Sequence, residues 1–333
     1  MKTLLTPLLV LLALNALAQE VPYLHFDKSI PVTKIALEYA DDKHLNGIFI
    51  GDTTDVKPLI IFIQGSEPRP LFVNLTAHKL NYFLLPKEIF GLTEAYHYLV
   101  LSKPGISLMY DDTVLTNYNV YDKSNTKPPQ EYLINNHLEF YTSIYLKAIH
   151  SFSKKTYVDS NEIILLGHSQ GSRIATKVAN KTPLVSTLIY LSCDPLGRFY
   201  PLSQQADTTA QAYLSNDEWL EKLIQFSKED STQTYWGETH RSWLSFSEIL
   251  IDDIQQLDIP IFVGFGEKDK SCINCNLFYT LKYTEQMDNL SIYAYPKYDH
   301  NFFDTTDKPN VNKKKTHHWL DIMRDIETWL MKD

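Results

Sequence analysis

Ile163-Ile164-Leu165-Leu166-Gly167-His168-Ser169-Gln170-Gly171-Ser172 decides how this chain is read. Four apolar residues in succession have the pattern of a strand buried on both faces. They run without a spacer into Gly-x-Ser-x-Gly, and Ser172 to Ala179 continues at helical spacing. A strand that reverses into a helix this tightly strains the backbone at its central serine and leaves no room for flanking side chains, which explains the glycines. With 11 glycines in 333 residues, about 0.02 such matches arise by chance, before the flanking strand and helix are considered. A tight turn without chemistry would use the same pentapeptide, so the chemistry rests on partners later in the chain.

A serine hydroxyl is a poor nucleophile at neutral pH. It needs a histidine base within hydrogen-bond reach and a carboxylate that holds the histidine in the right tautomer. On a strand, sharp turn and helix of this kind the partners come in the order Ser, acid, His. Asp269 ends Gly266-Glu267-Lys268-Asp269, just after the apolar run Ile261 to Phe265 and 100 residues beyond Ser169. His300 comes 31 residues later, in Tyr298-Asp299-His300-Asn301-Phe302-Phe303, after the strand-like Leu290 to Tyr295. Glu267 and Asp194 remain alternatives for the acid, Asp194 because it follows another strand. His317 and His318 compete for the base in chain order, although they open or lie within the terminal helix. His168, inside the turn, is expected to pack there. Acyl transfer also needs two fixed donors for the developing oxyanion. The backbone N–H of Gln170 supplies one, and Gln64-Gly65-Ser66, after the strand Leu59 to Ile63, offers the amide of Ser66.

Outward from this constellation, strands alternate with helices, an α/β pattern. Val32 to Tyr39 and Gly47 to Ile50 flank the turn Asp41-Asp42-Lys43 as an antiparallel hairpin. Pro58 to Ile63 and Tyr98 to Leu101 read as buried strands, the second ending in Lys103-Pro104-Gly105. Gln130 to Ser153 has helical spacing over roughly six turns. Between the strands Leu188 to Leu191 and Pro260 to Phe265 lie 66 residues, Cys193 to Asp258. They are too long for a simple crossover and carry helical patterns around Ala206 to Phe226 and Trp243 to Ile254, so they read as a cap, about 193–258. Its Tyr200, Tyr213, Trp219, Trp236 and Trp243 either line an apolar pocket or pack. Arg173, Arg198 and Arg241 are candidates for a substrate carboxylate. A terminal helix spans Thr316 to Met331.

Hydrophobic residues make up 44% and charged residues 21%, which fits an ordinary globular chain and excludes global disorder. The net charge of -9 repels phosphate backbones and argues against a nucleic-acid partner. Lys2, the apolar run Leu4 to Leu17 and Ala16-Leu17-Ala18 read as a secretory signal peptide over residues 1–18, cleaved after Ala18 to leave 19–333. The run is broken by Pro7 and Asn15 and falls short of the roughly 20 residues a membrane span needs, so no stable span is expected after cleavage. Three cysteines are too few for a disulfide framework. Cys272 and Cys275 could close a small disulfide loop, leaving Cys193 unpaired. No second Cys/His cluster completes a zinc site, and the C-x-x-C does not open a βαβ unit as a thioredoxin-like motif would.

With elbow, post-strand acid, late histidine and inserted cap in this order, from about Val32 to Met331, the chain resembles the α/β-hydrolase superfamily. The resemblance implies an α/β fold with a mostly parallel eight-stranded sheet flanked by helices, a helical cap inserted before the acid-bearing strand, and a serine hydrolase that uses no cofactor and no metal. Lys103-Pro104-Gly105 is similar to the strand-end loop of many members. Gln64-Gly65 stands where many have His-Gly; the donor there is a backbone N–H, so the change bears on loop geometry. The expectation is an exported enzyme, periplasmic or secreted, that hydrolyses carboxylic esters through an acyl-enzyme on Ser169, with a small-molecule ester or peptide-like substrate. Serine peptidases and acyltransferases use the same triad. A ligand-binding protein of this fold without chemistry is the alternative of another class, against which stands the presence of candidates at all three triad positions.

Overall fold

Each continuous apolar run becomes a strand covered on both sides, because only there do side chains of both parities leave water. A computed structural model describes residues 31–77, 80–121, 127–206, 215–306 and 316–332; the expected signal peptide and Tyr213 lie outside them. The strands of the main sheet are β1 (Val32–Ala40), β2 (Lys43–Ile50), β3 (Lys57–Ile63), β4 (His97–Leu101), β5 (Val158–His168), β6 (Val185–Leu191), β7 (Ile261–Gly266) and β8 (Leu290–Tyr295). Across the eight-stranded sheet they lie in the order β1-β2-β4-β3-β5-β6-β7-β8. Only β2 runs antiparallel to its neighbours β1 and β4; the remaining pairs are parallel. The opening hairpin turns at Asp42, whose φ of 59° lies in the left-handed region.

Alternation along the strands divides the core. Leu59, Ile61, Ile63, Leu99, Leu101, Ile163 and Leu165 pack on one face against α1 (Leu138–Phe152) and α2 (Gln170–Ala179). Ile60, Phe62, Tyr98, Val100, Ile164 and Leu166 face the other way. They meet Trp319, Ile322, Met323, Ile326 and Trp329, a stripe at helical spacing on the terminal helix Trp319–Leu330. Each such side chain contributes about 1.5–3 kcal/mol on burial, so the positions of the strand ends, where the site is built, rest on two cores.

Four expectations change. The stretch 130–153 is two helices, Gln130–Asn135 and α1, because Asn136 (ψ 68°) and His137 (ψ 159°) leave the helical region. His137 caps α1, its Nδ1 accepting from the Phe140 N–H at 3.3 Å, and the Asn136 amide accepts from Tyr141 Oη at 3.2 Å and donates to Ser242 Oγ at 3.1 Å. A polar side chain with such partners outweighs one more turn of helix. Within the cap, α3 (Phe199–Ala206) and α4 (Asn216–Lys228) are followed by a short hairpin, Thr234–Tyr235 with Glu238–Thr239, and by α5 (His240–Ser245). The pattern 243–254 does not continue α5: residues 246–250 form a bend that sends Phe246 and Leu250 into the main core before a short helix, Ile251–Gln255. The terminal helix begins at Trp319, so His317 and His318 precede it. A three-stranded sheet of Phe72–Leu75, Leu80–Phe83 and Met109–Asp111 stands beside the main one; strands this short alternate too few times to register in sequence. Among the described residues no helix is long and apolar enough to cross a membrane.

Candidate active site

β5 ends at His168 and α2 begins at Gln170, so the whole reversal falls on Ser169, at φ 57° and ψ -125°. A non-glycine residue held there costs about 1–3 kcal/mol, offset by its surroundings. Ser169 N–H donates to Leu191 O at 2.9 Å, and Ser172 Oγ, which lies 2.8 Å from both Gly167 O and Leu191 O and donates to one of them, accepts from Leu191 N–H at 3.0 Å. The flanking glycines are required by close approach. A Cβ on Gly171 would lie 1.8 Å from Ile63 O, and one on Gly167 2.5 Å from Ser172 Cα.

The structure brings Ser169, His300 and Asp269 together at the carboxyl ends of β5, β8 and β7. Ser169 Oγ lies 2.9 Å from His300 Nε2, and His300 Nδ1 lies 2.6 Å from Asp269 Oδ2. Asp269 is buried, with its other oxygen accepting from Ser271 N–H at 2.7 Å. Burial opposes its charge, yet the hydrogen bond and positive charge of His300, the Cys272 thiol and the Ser271 amide together hold its carboxyl below the usual range. An ionised Asp269 makes Nδ1 the protonated nitrogen, which leaves Nε2 to accept from Ser169. The loop carrying His300 is tied by Asp299 Oδ1, which accepts from Asn301 N–H at 3.1 Å and Phe303 N–H at 3.0 Å.

The competing residues have other partners, although His317 lines the groove beside Ser169. Asp194 accepts from Leu196 N–H at 3.0 Å and from Asn274 N–H and Nδ2 at 3.0 and 2.9 Å, so it ties the entrance of the cap to the acid-bearing loop. Glu267 is exposed. His317 lies 3.9 Å from Glu88, and His318 lies 3.1 Å from Asp321 and stacks on Tyr298. His168 packs in the elbow and also reaches His300 O, at 2.9 Å through Nε2. The loop after β3 comes directly against the nucleophile: a Cβ on Gly65 would stand 3.3 Å from Ser169 Cβ. Gln64 is buried and donates from Nε2 to Leu101 O at 2.8 Å, fixing that loop to the end of β4. Gln170 is the first residue of α2, where the N–H has no intrahelical partner.

Two cavities meet at Ser66, Ser169 and His300. A groove of about 990 Å³ is walled by Arg69, Tyr82, Glu88, Asn301 and Phe303. On the cap side, about 380 Å³ is walled by Gln170, Arg198, Trp236, Glu238, Trp243 and Phe246. Of the three arginines, Arg173 is taken up by the carbonyls of Glu248 and Asp194, and Arg241 is half-exposed beside Glu139. Arg198 lines the cavity, paired with Glu238 at 2.8 Å and stacked 4.8 Å over Trp243. The aromatic residues of the cap likewise divide: Trp236 and Trp243 face the cavity, Trp219 packs with Phe199 and Phe226, and Tyr200 is exposed. Glu238 had no signal in the sequence. Cys193, Cys272 and Cys275 are buried free thiols rather than a disulfide and a leftover, and the Cys275 thiol donates to Cys193 O at 3.2 Å.

No protein-family model matches the sequence, and no curated protein is similar to it. Solved structures are similar in fold. Est1E from Butyrivibrio proteoclasticus, in a structure with ferulic acid bound, is 14% identical with a TM-score of 0.55, over 90% of this chain and 98% of that one. An acetyl xylan esterase from Paenibacillus sp. R4 is 14% identical with a TM-score of 0.54, over 93% of this chain and 87% of that one. Dipeptidyl peptidase 4 of Porphyromonas gingivalis is 11% identical with a TM-score of 0.55, over 92% of this chain; the chain spans only 36% of the length of that protein.

Proposed function

We propose that the chain, which has the α/β-hydrolase fold, is an exported serine hydrolase that cleaves carboxylic esters through an acyl-enzyme on Ser169. The observation that carries this is the unbroken chain of contacts from Ser169 Oγ to His300 at 2.9 Å and from His300 to Asp269 at 2.6 Å. His300 Nε2 takes the Ser169 proton as Oγ attacks the carbonyl carbon. Asp269 stabilises the imidazolium that forms, and the amides of Gln170 and Ser66 receive the oxyanion. The alcohol leaves with the proton from His300, and water, activated by the same histidine, releases the acid.

The likeness covers most of the length of the acetyl xylan esterase and nearly all of Est1E, the latter holding ferulic acid, but about a third of the dipeptidyl peptidase, which supports a small ester over a peptide. Gln170 borders the cap-side cavity alone, while Asn301 and Phe303, which come after the base, border the groove.

A fluorophosphonate probe, read by intact mass, tests the nucleophile. One adduct on Ser169, strongly slowed by His300→Ala, is expected; a folded wild type that takes no label overturns the proposal. Residues 1–18 are proposed to direct export. Protein recovered outside the cytoplasm should begin at Gln19, and full-length chain retained in the cytoplasm would end that part of the proposal.

A further inference from the structure

We propose that His168 is a positioning residue for the general base: through His300 O it holds the loop that carries the base to the elbow that carries the nucleophile. This rests on Ser169 and His300 acting as proposed above. The problem it answers is topological. Ser169 follows β5 and His300 follows β8, and β6 and β7 lie between them in the sheet. β5 and β8 do not pair directly, so the sheet sets the distance between nucleophile and base only through two intervening strands, and three strand spacings amount to about 14 Å at the sheet. The direct link, Ser169 Oγ to His300 Nε2, is the bond that the reaction itself breaks. Besides the contact of Nδ1 with Asp269, a tie on the backbone of His300 that takes no part in proton transfer keeps the base in place through acylation and deacylation.

His168 supplies one. It immediately precedes Ser169, and its Nε2 lies 2.9 Å from the backbone oxygen of His300 itself, so the tie reaches both reacting residues within one position. The acceptor is a carbonyl, so Nε2 must carry the proton and donate. The ring is 7% exposed. It meets Trp319 edge-on at 5.1 Å and lies 6.0 Å from Phe302. Phe302, fully buried at φ 58°, is anchored in turn by His318 N–H to its carbonyl at 2.8 Å. Neutrality of His168 matters because its ring centre is 5.2 Å from that of His300, and a charge there would oppose the imidazolium that His300 becomes. Burial, with the adjacent His300 adding to it, pushes His168 down to about 3, so it stays a neutral donor across the working range.

The test compares two replacements in the full protein. His168→Phe keeps an aromatic ring against Trp319 and Phe302 but has no donor; His168→Gln keeps an N–H at about the position of Nε2. The Phe variant should lose about 10–100-fold in kcat with KM within about twofold, the effect of a base displaced by a fraction of an ångström. The Gln variant should recover to within a few-fold of wild type. If the Phe variant does not fold, His168→Asn, whose amide is one methylene short of the carbonyl, takes its place in the comparison. Wild-type kcat in the donor-free variant, or equal losses in both with Tm lowered alike, would overturn the tether. The two readings fail separately. A wild type that resists the fluorophosphonate ends the hydrolase proposal, whereas a labelled wild type with His168→Phe labelled equally fast ends only this one.

Discussion

Ser169→Ala is expected to lower ester turnover by about 10⁵-fold or more while leaving Tm nearly unchanged. The substitution removes a single oxygen, whose hydrogen bond is the one to His300 Nε2 at 2.9 Å. The backbone contacts that hold the elbow, Ser169 N–H to Leu191 O and Ser172 N–H to Ser169 O, do not involve that oxygen. The strained φ of 57° persists in the variant and costs alanine about what it costs serine. Activity and stability are thereby separable at this position. The residual rate should exceed the uncatalysed one, because the amides of Gln170 and Ser66 and the two cavities still orient a substrate for attack by water. The measurement is kcat/KM on an activated aryl ester beside a thermal melt. Turnover within tenfold of wild type would remove Ser169 from the mechanism, and a large fall in Tm with proportionate loss of activity would make it a structural residue.

Legibility in the sequence depends on how local each feature is. The elbow is one contiguous segment, and Gly167 answers to an atom of the turn itself, Ser172 Cα, although Gly171 answers to Ile63 O on the neighbouring strand. Asp269 and His300 are placed by chain order after strands, which needs no knowledge of contacts. The continuous apolar runs become strands because burial on both faces is written in every residue of the run. The break at Asn136–His137 has no such signature, because apolar residues keep helical spacing across it. What ends the helix is a set of partners for Asn136 that includes Ser242, 106 positions away. His168 is legible as a packing residue, but its bond spans 132 positions. Arg198 is one of three equivalent arginines until Glu238, in a two-residue strand of the cap, selects it. Side-chain pairing across a fold leaves no periodicity in the chain, whereas burial does.

Asp269→Asn should lower kcat/KM by about 10³–10⁴-fold near neutral pH with the site otherwise intact. An asparagine keeps the shape but presents an amide that favours the wrong tautomer: a donor facing Nδ1 makes that nitrogen the acceptor. The proton moves to Nε2, and Ser169 loses its base. The stability of the wild type gives an independent check. Burial alone would raise the Asp269 carboxyl, but the bond and charge of His300, with Cys272 and the Ser271 amide, lower it in the fold. A carboxylate lowered on folding contributes stability that is fully present above its unfolded pKa, about 3.9, and is lost as pH falls through the folded value. The wild-type advantage over Asp269→Asn in denaturant melts should therefore be lost as pH falls below about pH 4. Asp194→Asn is the informative companion, because its carboxylate bonds Leu196 and Asn274 instead of His300. It should lower Tm while kcat/KM per folded molecule stays within about threefold. Wild-type turnover in Asp269→Asn together with a collapse in Asp194→Asn would move the acid to the end of β6, and with it the orientation of His300 that the 2.6 Å contact now fixes.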